Sequence, residues 1–164
     1  IREEFKDIYK CDVRVSIEYV FEKKTNDNLE IYRKMAGRYS NERVTTKKAT
    51  PLSSREKYFS YKVFSNNLNG LHILDEEDFS NPDTWHMTDH NIKIYHYLGL
   101  ANSFNDKDVA FILQIDCLQD FKFGDNNSDE DIKSFVSAYI KPYVNIISIA
   151  YLLNRNKYGK VGEV

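Results

Sequence analysis

Residues 91–155 read as two strands, an acidic turn and one long helix with an apolar face. Asn91–Phe104 (NIKIYHYLGLANSF) and Val109–Leu118 (VAFILQIDCL) have the β-branched and aromatic content of adjacent strands. Ser128–Arg155 then reads as a nearly continuous helix. Ser128 can cap it, and Asp131 can close a capping box. Asp129, Glu130 and Asp131 sit where the helix dipole favours negative charge. Ile132, Val136, Tyr139, Tyr143, Ile146, Ala150 and Leu153 recur at intervals of 4 and 3, a heptad seam. Pro142 removes one backbone hydrogen bond, so a kink or break is expected near Ala138–Lys141. Beyond Pro142 the helix is apolar nearly all round, which suits contact with two surfaces: the sheet, and a second subunit. A sheet able to hold a pocket therefore lies next to a helix able to couple that pocket to something else.

The upstream chain supplies the rest of a sheet. Ile1–Lys10 has Ile1, Phe5 and Ile8 at helical spacing and reads as the end of an N-terminal helix. Asp12–Lys23 (DVRVSIEYVFEK) alternates. Val13, Val15, Ile17, Tyr19 and Phe21 fall on one side, and Arg14, Ser16, Glu18 and Glu22 on the other, a half-buried strand. Thr25–Asn28 is a turn by composition, and Leu29–Met35 returns as the second strand of a hairpin. Ala36–Glu56 is polar and basic and reads as a loop. Ser54–Leu68 fits a short helix or an irregular strand, Gly70–Leu74 a short strand, and Asp75–Asn91 an acidic crossing segment with Pro82 and Trp85. The fold class expected is α+β, with a central antiparallel sheet of five to six strands. The N-terminal and long C-terminal helices would lie on one face, and loops or short helices over the other. Residues 1–164 read as one domain, and the start at Ile1 rather than Met suggests a piece of a longer protein.

Bulk composition narrows the partners. The formal net charge of −2 makes no case for nucleic acid or for an anionic membrane. Charge is uneven locally: Lys34–Lys57 holds seven Lys or Arg against two Glu, and Asp75–Asp89 holds six acidic residues and no Lys or Arg. Such blocks read as solvated faces that can also orient a partner. Cys11 and Cys117 form no metal motif or disulfide framework, which points to buried thiols in a reducing, cytoplasmic setting. No run of 18 apolar residues marks a membrane-spanning segment.

Tyr97-Leu98-Gly99-Leu100, Phe111-Ile112-Leu113-Gln114-Ile115-Asp116, the turn phenylalanine Phe121 or Phe123, and Asp129-Glu130-Asp131-Ile132 follow one another in a familiar order. That order resembles the GAF domain, a small-molecule sensory module related to PAS domains. Members of that family carry a strand like SYLGVPL, a strand like GVLxLxS, a polar turn with a Phe, then a helix like DEDxxxLxxxAxxIAxAIxNA. The resemblance runs from Ile92 to Asn154. The N-terminal helix and the hairpin of Asp12–Met35 also sit where the family has them. It implies a sheet with both end helices on one face and a ligand pocket on the other. The chain lacks the Asn-Lys … Phe … Asp-Glu motif of cyclic-nucleotide-binding members, a Cys beside a His for bilin attachment, and the cysteine set of methionine-sulfoxide-reducing members. The resemblance thus implies a sensory or interaction module outside those three specialisations.

Aromatic and histidine residues mark where a ligand would sit. Pockets for small molecules are lined by apolar and aromatic groups with a few polar anchors, and tyrosine supplies both. Tyr58, Tyr61, Trp85, His86, His90, Tyr95 and Tyr97 are the candidate ligand-binding residues. Tyr95 and Tyr97 alternate with His96 and Leu98, so the two pairs face opposite ways. His86 and His90 (HMTDH) are spaced so that a helix would place both imidazoles on one face, where Asp83 or His96 could complete a metal site. Two surface histidines in a polar loop explain the same pattern, and no metal is assigned. The ligand's identity and any cofactor stay unknown. No nucleophile elbow, triad order or Gly-rich phosphate loop is present, so a non-enzymatic role is expected. The functional expectation is a regulatory domain that binds a small molecule and signals through its terminal helices, in a homodimer formed by the C-terminal helix. The alternative is a GAF-like module without a ligand that dimerises or docks a protein.

Overall fold

A computed structural model describes residues 1–25, 28–39, 49–55, 61, 63–64, 71–74, 93–105, 108–126 and 128–158. Helix α1 (Arg2–Tyr9) leads into strands β1 (Val13–Thr25), β2 (Asn28–Tyr39) and β3 (Thr50–Pro51), a 3-10 turn (Ser53–Arg55), then β4 (Leu71–Leu74), β5 (His96–Asn105) and β6 (Asp108–Cys117). The chain ends in helix α2 (Asp129–Phe135), a π-helical stretch (Val136–Ile140) and helix α3 (Lys141–Tyr158). The six strands form one antiparallel sheet in the order β3-β2-β1-β6-β5-β4. The fold is the expected α+β arrangement.

Alternation sorts the side chains of the central strands. Val13, Cys117 and His96 stand in register across β1, β6 and β5. Val15, Ile115 and Leu98 form the next row, and Ile17, Leu113 and Leu100 the one after. These rows meet α1 and the C-terminal helix in one core with Phe5, Ile132, Phe135, Val136, Ile140 and Val144. Phe5 anchors it: its ring lies 4.9 Å from that of Phe135 and 5.9 Å from that of Phe121, both edge-on. Edge-to-face pairs of this kind add to simple area burial. The Tyr143 hydroxyl donates to the Glu4 carboxylate and ties α3 to α1. Asn102 Nδ2 donates to Ser148 Oγ at 3.1 Å and ties α3 to the sheet.

The start of α2 follows the capping chemistry read from the sequence. Ser128 accepts from the Asp131 amide, and the Asp131 carboxylate accepts from the Ser128 amide. Gly124, with φ at 62°, makes the turn before it; a side chain there would strike Asp131.

Three expectations need correction. β2 runs on to Tyr39, so 36–39 belong to the sheet rather than to a loop, with one extra residue of β2 absorbed opposite Ile17 and Glu18. Leu29–Met35 is thus only part of that strand. Pro142 does not break the helix, and the irregularity expected near Ala138–Lys141 takes the form of the π-helical turn Val136–Ile140. The missing amide is accommodated by the π-helical turn just before it, and α3 continues. That wider turn also splits the predicted seam. Ile132 and Val136 face the sheet, but from the last residue of the π stretch onward the inward positions are Ile140, Val144, Ile147 and Tyr151. Tyr139, Ile146, Ala150 and Leu153 point outward instead.

The continuous helix Asp129–Leu153 is long and apolar enough to cross a bilayer by length and composition alone. Its start is acidic and capped, and its inner face packs on the sheet.

Truncating Phe5 to Ala should cost about 3–5 kcal/mol, because its contacts join α1, α2 and the turn after β6. Ser137→Ala, exposed in the π-helical stretch, should change stability by no more than about 0.5 kcal/mol. Urea unfolding followed by circular dichroism measures both.

Candidate functional site

The opposite face of the sheet is where the sequence reading placed a pocket, and its floor is polar and buried. The rows there interleave with the apolar ones. Arg14, Asp116 and Tyr97 stand side by side, then Ser16, Gln114 and Gly99, then Glu18, Ile112 and Ala101. Arg14, Ser16, Glu18 and Asp116 are all buried. Arg14 Nε donates to Asp116 Oδ2 at 2.6 Å. Arg33 of β2 reaches across to the Glu18 carboxylate. The Tyr97 hydroxyl donates to Gln114 Oε1 at 2.9 Å.

Gly99 permits that last contact. A Cβ at this position would sit 2.8 Å from Tyr97 ring and hydroxyl atoms and 2.4 Å from Val63 Cγ2. The Tyr97 ring therefore lies across the bare glycine to reach Gln114, and Val63 closes over both. Val63 and Phe64, which are helical, pack on this face with Val20, Tyr97, Ala101 and Ile112.

Electrostatics keep the Tyr97 phenol protonated. Burial pushes the Tyr97 phenol well above its ordinary range, and the negative charges of Asp116 and Glu18 add to the effect. Tyr97 is thus a neutral donor. The floor offers a phenol, an amide, a hydroxyl, guanidinium groups and carboxylates within a few residues of one another. That set can orient the polar edge of a small molecule.

Of the residues singled out from sequence, Tyr97 lies in this floor and is 2% exposed. Tyr95 is half-buried at the bend entering β5, where its amide donates to the Cys117 carbonyl and Lys93 Nζ sits 4.2 Å from its ring centre. Tyr61 is half-buried and helical, two residues before Val63. Tyr58, Trp85, His86 and His90 lie outside the described residues. His96 is on the helix side with its ring 5.1 Å from that of Phe121, so it faces away from Tyr97 as alternation required. Among the described residues, no cluster of three or more His, Cys, Asp or Glu could hold a metal ion.

Cys11 and Cys117 are both free and buried. A hydrogen bond with Cys117 draws the Cys11 thiol down, while burial pushes the Cys117 thiol well up.

Sequence reasoning missed Arg14, Glu18, Gln114 and Asp116. The polar side of β1 reads as the open side of a half-buried strand, and Asp116 only as the last residue of the Phe111–Asp116 strand motif. The usable signal was the match of charge: Arg14 and Glu18 alternate on β1 as Asp116 and Gln114 alternate on β6. No protein-family model matches this chain, no curated protein matches it, and no solved structure matches it.

Asp116→Ala removes the buried carboxylate that Arg14 Nε donates to and should cost about 3–5 kcal/mol, whereas Arg14→Met with Asp116→Leu should recover most of that loss. The phenol provides a pH test. The folded protein disfavours ionised Tyr97, so this contribution to stability is complete below the ordinary tyrosine value of about 10 and is lost as pH rises above it. Urea midpoints at rising alkaline pH should fall more steeply for the native chain than for Tyr97→Phe.

Proposed function

We propose that this chain is a non-enzymatic sensory or regulatory domain of GAF-like design. It binds a small molecule between the polar floor and the segment 58–91, and passes the bound state to its terminal helices. The observation that carries this reading is the buried, hydrogen-bonded polar row on the sheet face opposite those helices. A face meant only for packing would be apolar there, since burying charges costs free energy unless they are paired.

The coupling follows from alternation. Arg14 and Ser16 of the floor are flanked on β1 by Val13, Val15 and Ile17, which touch the helix layer. Asp116 lies between Ile115 and Cys117 in the same way. A ligand that shifts a floor residue shifts the strand beneath it, and the helices feel that shift on the other side. It moves the equilibrium only as far as it binds one arrangement better than the other.

A second reading, a GAF-like module without a ligand that serves dimerisation or protein docking, draws on the large apolar residues exposed along α3.

Thermal unfolding against a panel of metabolites and nucleotides separates the two. A cognate ligand at a hundred times its Kd adds about 2.7 kcal/mol, or roughly 5–10 °C for a domain of this size. The Arg14→Met, Asp116→Leu variant should stay folded and lose that shift. Silence across a broad panel, or a shift unchanged in the variant, would refute floor binding.

A further inference from the structure

The two cysteines of the chain meet where the sheet joins its helices. Cys11 stands between α1 and β1, and Cys117 ends β6. Lys10, with φ at 55°, turns the chain out of α1 just before Cys11. The Leu118 amide donates to the Asp12 carbonyl at 3.0 Å, next to the Val13–Cys117 pair, and holds the two segments together. The Cys117 thiol donates to the Cys11 sulfur. Cys11 Sγ in turn lies 3.3 Å from the Asp12 carbonyl oxygen and 3.6 Å from that of Gln119. A buried cysteine used as filler behaves as a small apolar group. Here the two sulfurs meet each other, and the chain holds no third cysteine to compete for either.

We propose that Cys11 and Cys117 form a peroxide-modification site, closing reversibly to an intrachain disulfide in the folded protein. The sulfurs are already hydrogen-bonded. Closure to an S–S separation of about 2.05 Å therefore asks for a shift of two side chains rather than of two strands.

The chemistry divides between the two thiols. Accepting from Cys117 favours the thiolate of Cys11, and the thiolate is the nucleophile. Its sulfur attacks hydrogen peroxide, displaces hydroxide and becomes a sulfenic acid. Burial keeps Cys117 a thiol until then. The Cys117 sulfur next attacks the sulfenic sulfur, and its proton leaves with the hydroxyl as water. In sum, two thiols lose two hydrogens and two electrons, and peroxide becomes two waters. Peroxide is close to water in size, and the exposed residues Gln119 and Asp120 flank the pair on its outer side. Gln119 Oε1 accepts from the Asp12 amide at 3.0 Å, so a surface side chain lies over the junction.

The bond ties the root of α1 to the end of β6, from which the path to α2 leaves. Both cysteines belong to the helix side of the sheet, so the site does not depend on the ligand-binding reading.

The test treats the native chain with hydrogen peroxide, alkylates the remaining thiols and reads the intact mass before and after dithiothreitol. The chain should become lighter by about 2 Da, resist alkylation, yield a peptide pair joined through Cys11 and Cys117, and revert fully on reduction. The oxidised chain should unfold roughly 10 °C higher, because the bond closes most of the chain into one loop. Cys117→Ala should stop at a sulfenic acid on Cys11 that dimedone traps, and Cys11→Ala should react at least roughly tenfold more slowly. Thiols that still alkylate after treatment, sulfinic acid without a disulfide, a bond that joins two chains or forms only in urea, or an unfolding temperature that does not rise overturns the proposal. These readings come from the native chain, so they decide the matter even where a variant fails to fold. A disulfide formed as expected in a chain that shows no ligand-induced thermal shift would count against the floor and leave this site standing.

Discussion

The antiparallel pairing of β1 with β6 joins the first long strand of the chain to the last. Val13 meets Cys117 at one end and Tyr19 meets Phe111 at the other. A two-stranded hairpin is marginal by itself, and β1–β2 and β5–β6 are two such hairpins until this pairing fuses them. The chain between them must be closed first, at an entropic cost that grows slowly with length. The return is the shared apolar layer of both strands. The pairing also decides where the helices go. α1 enters the sheet beside Val13, and the path to α2 leaves it beside Cys117, so both helices start from the same end of the same strand pair. Phe5 then meets Phe135 with no long connection needed.

These two strands carry opposite chemistry on their two sides. The helix side is aliphatic and aromatic, and the other is a lattice of ion pairs and hydrogen bonds. Buried ion pairs are poor sources of net stability, because desolvation consumes most of their attraction. What they supply here is register. Sliding β6 by one residue against β1 would set Arg14 beside Ile115 or Cys117 and turn the charged row into the helix layer, which strand alternation makes prohibitive.

Much of this architecture was legible in the residues. The alternation of Val13–Phe21, the cap at Ser128 and the apolar density of Val109–Leu118 are local signals, and local signals survive in a single sequence. The burial of Arg14, Glu18 and Asp116 was not legible, because it depends on what covers the face, and the cover comes from elsewhere in the chain. Tyr97 was found through its aromatic character; its role came only with Gly99 and Gln114, one on the same strand and one across it. The heptad seam was legible as a period and misleading as a surface. A period counted at a constant interval assumes a constant helix, and the π turn at Val136–Ile140 breaks that assumption.

That turn makes helix length, rather than composition alone, decide which residues meet the sheet. Each α-helical residue advances the helix by roughly 100°. The five residues Val136–Ile140 fill a turn that about four fill in ordinary helix, so the extra one resets the phase of everything downstream. Straightened with all five kept, the helix would rotate by one step and bring Tyr143 and Ile146 into the places of Val144 and Ile147. Deleting one of the five while restoring ordinary helix would leave Val144 and Ile147 against the sheet, so this is the one stretch of the helix where losing a residue keeps the molecule's inside in place.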